Sequence, residues 1–483
     1  MTDAQFSAEH GGQLILSGHG HRPVSGALIG SRARVEARLT GRGKTWRAVL
    51  PLHASRWGGP DLPLPTGSYR IEFERASGGE QIAPVSLPVT QLGTLRAGVD
   101  GMQVEIGPPI NPAYDSGEAQ AALERRYATR PGALENAVFF ESFFGVNASC
   151  NPRAIDREIA RQAPGVIRYW SVVDLSVRVP DGAIAVVEGT EQWWRARGSA
   201  RLLVVNDWLR RRFSRRSGQV VLQTWHGTPL KRLALHRPRA DLRRAVAVVR
   251  ESRRWNVLLA QNSYSERTLR KAYAFLNRSI WVEGYPRNDV LHSGNRAEVR
   301  AALGLSETER VVLYAPTWRD DRQEIVDFVD PEALAASIDA VVLVRGHSRT
   351  FRTGSDATGT GVIDVTGYPD MASLLLAADA LITDYSSVMF DFSVTGKPMF
   401  FLVPDLEHFR RDLRGFYFDF IKHAPGPVVR TQQQLVDAIR QHETEQHAGM
   451  YSRWQRTFNA RDDGQASQRV VARILDQGFI DRT

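Results

Sequence analysis

The sequence predicts an α/β protein with two Rossmann-like domains facing a cleft, preceded by a small all-β N-terminal domain. Three observations predict it. From residue 137 onward, continuous apolar runs of strand length alternate with helical stretches. Such runs imply strands covered on both faces, hence parallel sheets. The alternation breaks at "GYPRNDVLHSGN" (284–295) and starts again, so the pattern occurs twice. Ahead of it, residues 1–112 carry short runs with a period of two, punctuated by Gly, Pro, Ser and Asp, and no helical stretch of useful length.

In the first region the runs are "QLILSG" (13–18), "ARVEARL" (33–39), "TWRAVLPL" (45–52), "SYRIEFE" (68–74), "APVSLPV" (83–89) and "MQVEIG" (102–107). They predict a β-sandwich or barrel-like domain over 1–112. The Pro- and Gly-rich "GPPINPAYDSGE" (107–118) marks its boundary. A linker over 113–135 follows and holds the short helical stretch 119–128. The first α/β unit, 136–295, has predicted strands at 137–142, 166–173, 183–189, 201–206, 220–225, 256–262 and 280–284, with helices at 152–162, 239–254 and 264–273. The second, 296–483, has strands at 310–316, 340–346, 361–367, 380–384 and 398–404. Its helices fall at 331–338, 370–378, 386–395 and 432–443, and a closing helix occupies the last thirty residues. Ligands of doubly wound sheets bind beyond the carboxyl ends of the strands, so the natural site is the cleft between the units.

Composition narrows the class. The 483 residues carry a formal charge of +9, nearly all of it from arginine, which suits a polyanionic partner: nucleic acid, a phosphate-bearing substrate or an anionic membrane face. An arginine bias of the whole genome would produce the same surplus. No apolar run approaches the ~20 residues that span a bilayer. The start, "MTDAQFSAEHGG", lacks the pattern of a signal peptide, so a cytoplasmic location is expected. Cys150 is the one cysteine, which rules out an intrachain disulfide and a thiolate metal cluster.

Unusual residues collect at the strand ends. His226 follows the strand 220–225, and Gly227 opens the tight Gly-Thr-Pro turn after it. Thr317, Arg319, Asp320 and Asp321 follow the strand that starts at 310. Arg345, Gly346 and His347 follow the next. Asp384, Ser386 and Ser387 end the strand 380–383 and open a predicted amphipathic helix. Free N–H groups at a helix start, with two hydroxyls, make an anion site suited to phosphate; Ser and Asp are also ordinary N-caps. A neutral imidazole takes a proton from a hydroxyl nucleophile near pH 7. One histidine at a strand end is more often structural, but here each unit supplies one toward the same cleft. A zinc pair lacks the accompanying Cys or His-x-x-x-His. Arg319 is the residue type that reads phosphate in bidentate fashion. Asp320 and Asp321 suit a ribose, a divalent cation or Arg319 itself. No Gly-x-Gly-x-x-Gly occurs, which argues against NAD or FAD.

Two stretches are basic. Residues 195–216 include Arg210, Arg211, Arg212, Arg215 and Arg216 against one acid, and 239–254 include Arg243, Arg244, Arg250, Arg253 and Arg254. In the second, Leu242, Val246 and Val249 share a helix face opposite several arginines. That fits a basic amphipathic surface on anionic lipid, or equally the solvated face of a core helix. No RNP, KH or zinc-knuckle pattern is present, so a nucleic-acid partner is not expected.

"FESFFGVNASCNPRAI", "TWHGTPLKRL", "GYPRND", "YAPTWRDD", an Arg-x-His after a strand, "LITDYSSVMFDF" and "RGFYFDF" with "PGP" occur in that order. The combination closely resembles the CDP-glycerol glycerophosphotransferase family, the teichoic acid primases and polymerases, over about 137–445. The resemblance implies a GT-B fold, with 136–295 as the acceptor side and 296–483 as the CDP-donor domain. It implies transfer of glycerol phosphate from CDP-glycerol, or ribitol phosphate from CDP-ribitol, to a hydroxyl of a lipid-linked acceptor, with release of CMP. His226 is then the base and His347 a second catalytic histidine at the pyrophosphate. Gly227, Thr317, Arg319, Arg345, Asp384, Ser386, Ser387 and Asp391 fall on the substrate side. Lys231, Arg232, Arg211, Arg212, Arg243 and Arg244 face the membrane or acceptor. No cofactor is required by the family pattern, and a divalent cation and a homo-oligomer stay open. The location implied is cytoplasmic, peripheral on the inner face of the cell membrane. Two departures stand out: Gly346 replaces a bulkier residue between Arg345 and His347, and the β-domain is not a general family feature. A GT-B glycosyltransferase and a basic membrane- or RNA-binding scaffold are the alternatives.

Overall fold

The computed structural model describes residues 3–9, 12–74, 86–129, 133–210, 213–238, 241–317, 328–346, 358–408, 415–441 and 444–482. Two seven-stranded sheets organise the α/β part. The first runs, in spatial order, Ile184–Val187, Ile167–Val172, Glu135–Glu141, Ala200–Val205, Val220–Gln223, Val257–Ala260 and Ser279–Val282, all parallel. The second has Val362–Asp364, Val341–Val344, Val311–Ala315, Ala380–Thr383, Met399–Leu402 and Val428–Val429 in parallel, with the short Thr358–Gly359 antiparallel at one edge. Strands such as Val257–Ala260 and Met399–Leu402 are buried along their whole length, as continuous apolar runs require. The predicted fold class therefore holds.

The N-terminal region is a β-sandwich. A four-stranded antiparallel sheet (Asp3–Glu9, Gln13–His19, Thr45–Pro51, Arg38–Arg42) faces a six-stranded one built on Ser25–Gly30, Gly67–Glu74, Leu95–Asp100 and Gln103–Gly107. Leu14, Leu16, Leu28, Trp46, Leu50, Ile71 and Val104 fill the space between them. The sandwich touches both α/β units. Thr66 N donates to Asp174 Oδ2 at 2.9 Å in the first unit, and the Trp57 ring meets Tyr368 of the second edge-on at 5.5 Å.

Two differences from the sequence reading have clear causes. The predicted amphipathic helix 386–395 is a short α-helix, Val388–Phe392, continued by a 3-10 turn, Ser393–Thr395, and its α-helical residues are all buried. It is covered by the helix Thr444–Phe458, whose Trp454 stacks on Phe390 at 4.8 Å, so it has no solvent face to make amphipathic. The closing helix, Ala466–Asp476, does not pack on the second unit. Val470, Val471 and Ile474 enter the core of the first, beside Ile155 and Leu269, so the chain ends by crossing back over the cleft.

Candidate active site

Val220–Gln223 ends in a turn that the sequence makes tight. Trp225 takes a left-handed φ of 54°, unusual for a bulky residue, and the next residue is His226. Asn151 Nδ2 donates to the carbonyls of Thr224 and Trp225 at 3.3 and 3.2 Å, and so holds this backbone. Phe143, Phe144 and Cys150, which surround the turn, also have positive φ. Strain of this kind, about 1–3 kcal/mol per residue, persists where the surroundings over-determine a functional geometry.

The His226 ring is fixed on three sides. It stacks on Trp225 with 4.8 Å between centroids and leans on Phe143 at 5.5 Å. Its Nδ1 lies 2.6 Å from the carbonyl oxygen of Asn206. A carbonyl only accepts, so Nδ1 carries a proton, and in the neutral ring it is Nε2 that holds the lone pair. Asn206 is one residue past the neighbouring strand, Ala200–Val205, and its side chain accepts from Phe143 N and donates to Ser142 Oγ. One residue thus sets both the imidazole tautomer and the aromatic wall beside it. Sequence reasoning missed Asn206, although a polar residue ending the strand next to the histidine strand is a readable signal.

The second unit comes up against this turn. A Cβ added at Gly227 would lie 2.6 Å from Ser387 Oγ, so only a glycine lets the two units approach this closely. Ser386 and Ser387 are half-buried at the carboxyl end of Ala380–Thr383, with Ser387 against Gly227, the residue after His226. Farther along, Lys231 bridges Phe416, Tyr417 N donates to Leu230 O, and Leu233 N donates to the Tyr417 hydroxyl. Lys231 is therefore half-buried in an inter-unit bridge rather than standing on an open face, while Arg232 is exposed.

Several residues expected at the substrate are turned to the protein instead. Asp384 is 2% exposed, and its Oδ1 accepts from Thr317 N and Tyr385 N, which ties the loop after Val311–Ala315 to the serine turn. Arg345 donates through Nη1 to the carbonyls of Val365 and Tyr368, and burial pulls its guanidinium down to about 10. Asp391 is likewise held inside the protein. Its carboxylate is buried and both oxygens are engaged by Arg287, at 2.7 Å to Nη2 and 3.4 Å to Nε. Burial pushes the Asp391 carboxyl up, against the pull of Arg287. His347, Arg319, Asp320, Asp321, Arg211 and Arg212 lie outside the described residues. Among the described residues no group of three His, Cys, Asp or Glu side chains converges as a metal site.

Residues 124–476 match the family model of CDP-glycerol:poly(glycerophosphate) glycerophosphotransferase. The chain belongs to this family. Within the glycerophosphotransferase family it is 37% identical over 335 residues to the teichoic acid poly(glycerol phosphate) polymerase of Bacillus subtilis, covering 65% of this chain and 45% of that protein. It is 35% identical over 372 residues to the teichoic acid glycerol-phosphate transferase of Staphylococcus aureus, covering 71% of this chain and 93% of the relative. A solved structure of the wall teichoic acid polymerase TagF superposes with a TM-score of 0.68 at 29% identity, covering 74% of this chain and 94% of that one. The chain thus spans less than half of the Bacillus polymerase but nearly all of the Staphylococcus transferase. The family match begins at residue 124, after the β-sandwich.

Proposed function

We propose that this chain transfers glycerol phosphate from CDP-glycerol to a hydroxyl of a lipid-linked glycan or polyol-phosphate acceptor, releasing CMP, in the synthesis of teichoic acid or a related cell-surface polymer. The observation that carries this reading is the close approach of Gly227, the residue after His226, to Ser387 across the cleft, with Nδ1 of His226 bonded to the Asn206 carbonyl so that Nε2 is the basic nitrogen of the neutral ring. Membership of the glycerophosphotransferase family and the higher identity to the two glycerol-phosphate relatives above (37% and 35%) than to ribitol-phosphate relatives (28–29%) support glycerol over ribitol. The acceptor oxygen attacks the β-phosphorus as its proton passes to His226 Nε2. The bond between the β-phosphorus and the bridging oxygen breaks, and CMP leaves with that oxygen. Ser386 and Ser387 hold the β-phosphate through hydroxyl and backbone donors, and Asp384 and Arg345 keep their loops in place. His347 and Arg319 take the pyrophosphate side.

The helix Leu242–Ser252 carries the membrane-facing part of the proposal. Leu242 is 80% and Val246 58% exposed, and Arg243, Arg244 and Arg250 stand exposed around them. These apolar residues are not covered by the core, as a solvated core helix would require. With exposed arginines they suit an anionic lipid face, as expected for a peripheral enzyme at the inner membrane surface. No helix among the described residues is long and apolar enough to cross a membrane.

The test is CMP release from CDP-glycerol, CDP-ribitol and UDP-sugars with a lipid-linked or synthetic acceptor. CMP from CDP-glycerol alone is expected. CMP from CDP-ribitol alone would move the donor assignment, and none from either would overturn the reading. His226→Ala is expected to abolish turnover while CDP-glycerol still binds; loss of binding would put His226 in the donor pocket.

A further inference from the structure

Arg287, from "GYPRND", occupies the junction of the two units. It sits in the 3-10 turn Pro286–Asp289, just past the last strand of the first sheet. Its Nη1 donates to the carbonyl oxygen of His226 at 3.0 Å and to Cys150 Sγ at 3.0 Å. Its Nη2 and Nε donate to Asp391. Its backbone N–H donates to Asn151 Oδ1, and the amide nitrogen of that same Asn151 holds the Thr224 and Trp225 carbonyls. The side chain is 12% exposed, and its guanidinium stacks over the Tyr285 ring at 4.9 Å.

Asp391 lies on Val388–Phe392, the helix that directly follows Ser386 and Ser387. One side chain therefore grips the residue proposed as base from one unit and the helix that follows the proposed phosphate ligands from the other. A planar fork with five fixed donors does this; a point-like ammonium cannot span both partners.

We propose that Arg287, with Asp391 as its anchor, is a positioning residue that sets the distance between His226 and the β-phosphate held at Ser386 and Ser387. It touches neither substrate nor reacting atoms; it acts through His226. The inference rests on the transfer reaction proposed above. It adds an element that the strand-end pattern did not single out, because Arg287 lies in a 3-10 turn several residues beyond the last strand of the first sheet.

The experiment compares wild type with Arg287→Lys, Arg287→Ala and Asp391→Asn by CMP release from CDP-glycerol, by nucleotide binding in calorimetry and by thermal unfolding. Arg287→Lys keeps a charge for Asp391 but loses the bond to the His226 carbonyl, so it keeps the proposal testable if Arg287→Ala does not fold. A misplacement of about 1 Å costs on the order of 100-fold in rate, so kcat is expected to fall about that much while KM and nucleotide affinity stay within about threefold. Guanidinium ion at concentrations far below denaturing is expected to raise the turnover of Arg287→Ala and leave wild type unchanged. Wild-type kcat in Arg287→Lys and Asp391→Asn would overturn the proposal. So would a loss that tracks KM and thermal stability without rescue, which marks a purely structural pair. If wild type itself releases no CMP from CDP-glycerol, it is the underlying reaction that fails.

Discussion

At the scale of residues, the site depends on what surrounds each group more than on its type. His226, the proposed base, is oriented because the Asn206 carbonyl accepts a hydrogen bond from Nδ1 and Trp225 and Phe143 hold the ring. Gly227 is needed because Ser387 stands where a Cβ would go. Gly227→Ala is therefore expected to push the serine turn away from His226 and to lower turnover at least about tenfold, since small displacements of reacting groups are costly. The backbone of Gly227 does not need a positive φ, so any loss of thermal stability should reflect only this overpacking, about 1–3 kcal/mol; kinetics together with a melting curve check both halves of the expectation. Of these residues His226, Gly227, Ser386 and Ser387 were legible in the sequence, because each follows an apolar run that reads as a strand. Asn206 and Arg287 were not singled out. Their roles arise from partners 20 and 104 positions away in the chain, and no local pattern encodes such a pairing.

At the scale of elements, the strands of the first sheet and the five longer strands of the second were readable because burial on both faces leaves an uninterrupted apolar run, whereas the two-residue edge strands Thr358–Gly359 and Val428–Val429 were not read. The β-sandwich was harder. Ser25–Gly30 and Leu95–Asp100 are real strands that "SGALIG" and "LRAGVD" do not advertise, since Gly and Ala interrupt the alternation. The helix after Ser387 was predicted to be amphipathic and is buried throughout, because Thr444–Phe458 covers its outer side. The opposite holds for Leu242–Ser252, where apolar residues remain uncovered. Replacing Leu242 and Val246 with Asp and reversing Arg243 and Arg244 to Glu is expected to weaken binding to vesicles rich in anionic lipid. The polybasic part should contribute about 1 kcal/mol per arginine near the surface. Co-sedimentation at low and high salt would measure it, and unchanged binding would return the helix to an ordinary solvated role. Because these side chains are exposed, fold stability should be unaffected.

At the scale of the whole molecule, the units are joined by buried polar nodes as well as by the cleft. Asp462, on the chain segment that crosses back, accepts from Tyr285 N, Asn288 Nδ2, Gln261 Nε2 and Asn459 Nδ2. Burial outweighs these bonds and pushes its carboxyl group up to about 6. In the unfolded chain it titrates near about 4. The folded protein thus holds this proton more tightly. The ionisation of Asp462 opposes folding fully above about pH 6, and that penalty fades as pH falls toward about 4. In Asp462→Asn the penalty is absent and some of the accepted hydrogen bonds are lost. The wild type should be the more stable protein, and its advantage in urea unfolding should shrink between about pH 4.5 and pH 7, by roughly 3 kcal/mol at most.

The sequence by itself determined the fold class, the doubling of the α/β unit and the strand ends that carry His226 and the serines, because apolar periodicity reports local burial directly. Tertiary structure alone decided which imidazole nitrogen is free, that Asp391 faces Arg287, that the last helix belongs to the first core, and that the β-sandwich reaches both units through Asp174 and Tyr368. Each of these is a contact between residues far apart in the chain. A side chain's partner across a cleft is set by how whole elements pack, and that packing leaves no trace in the few residues around either end.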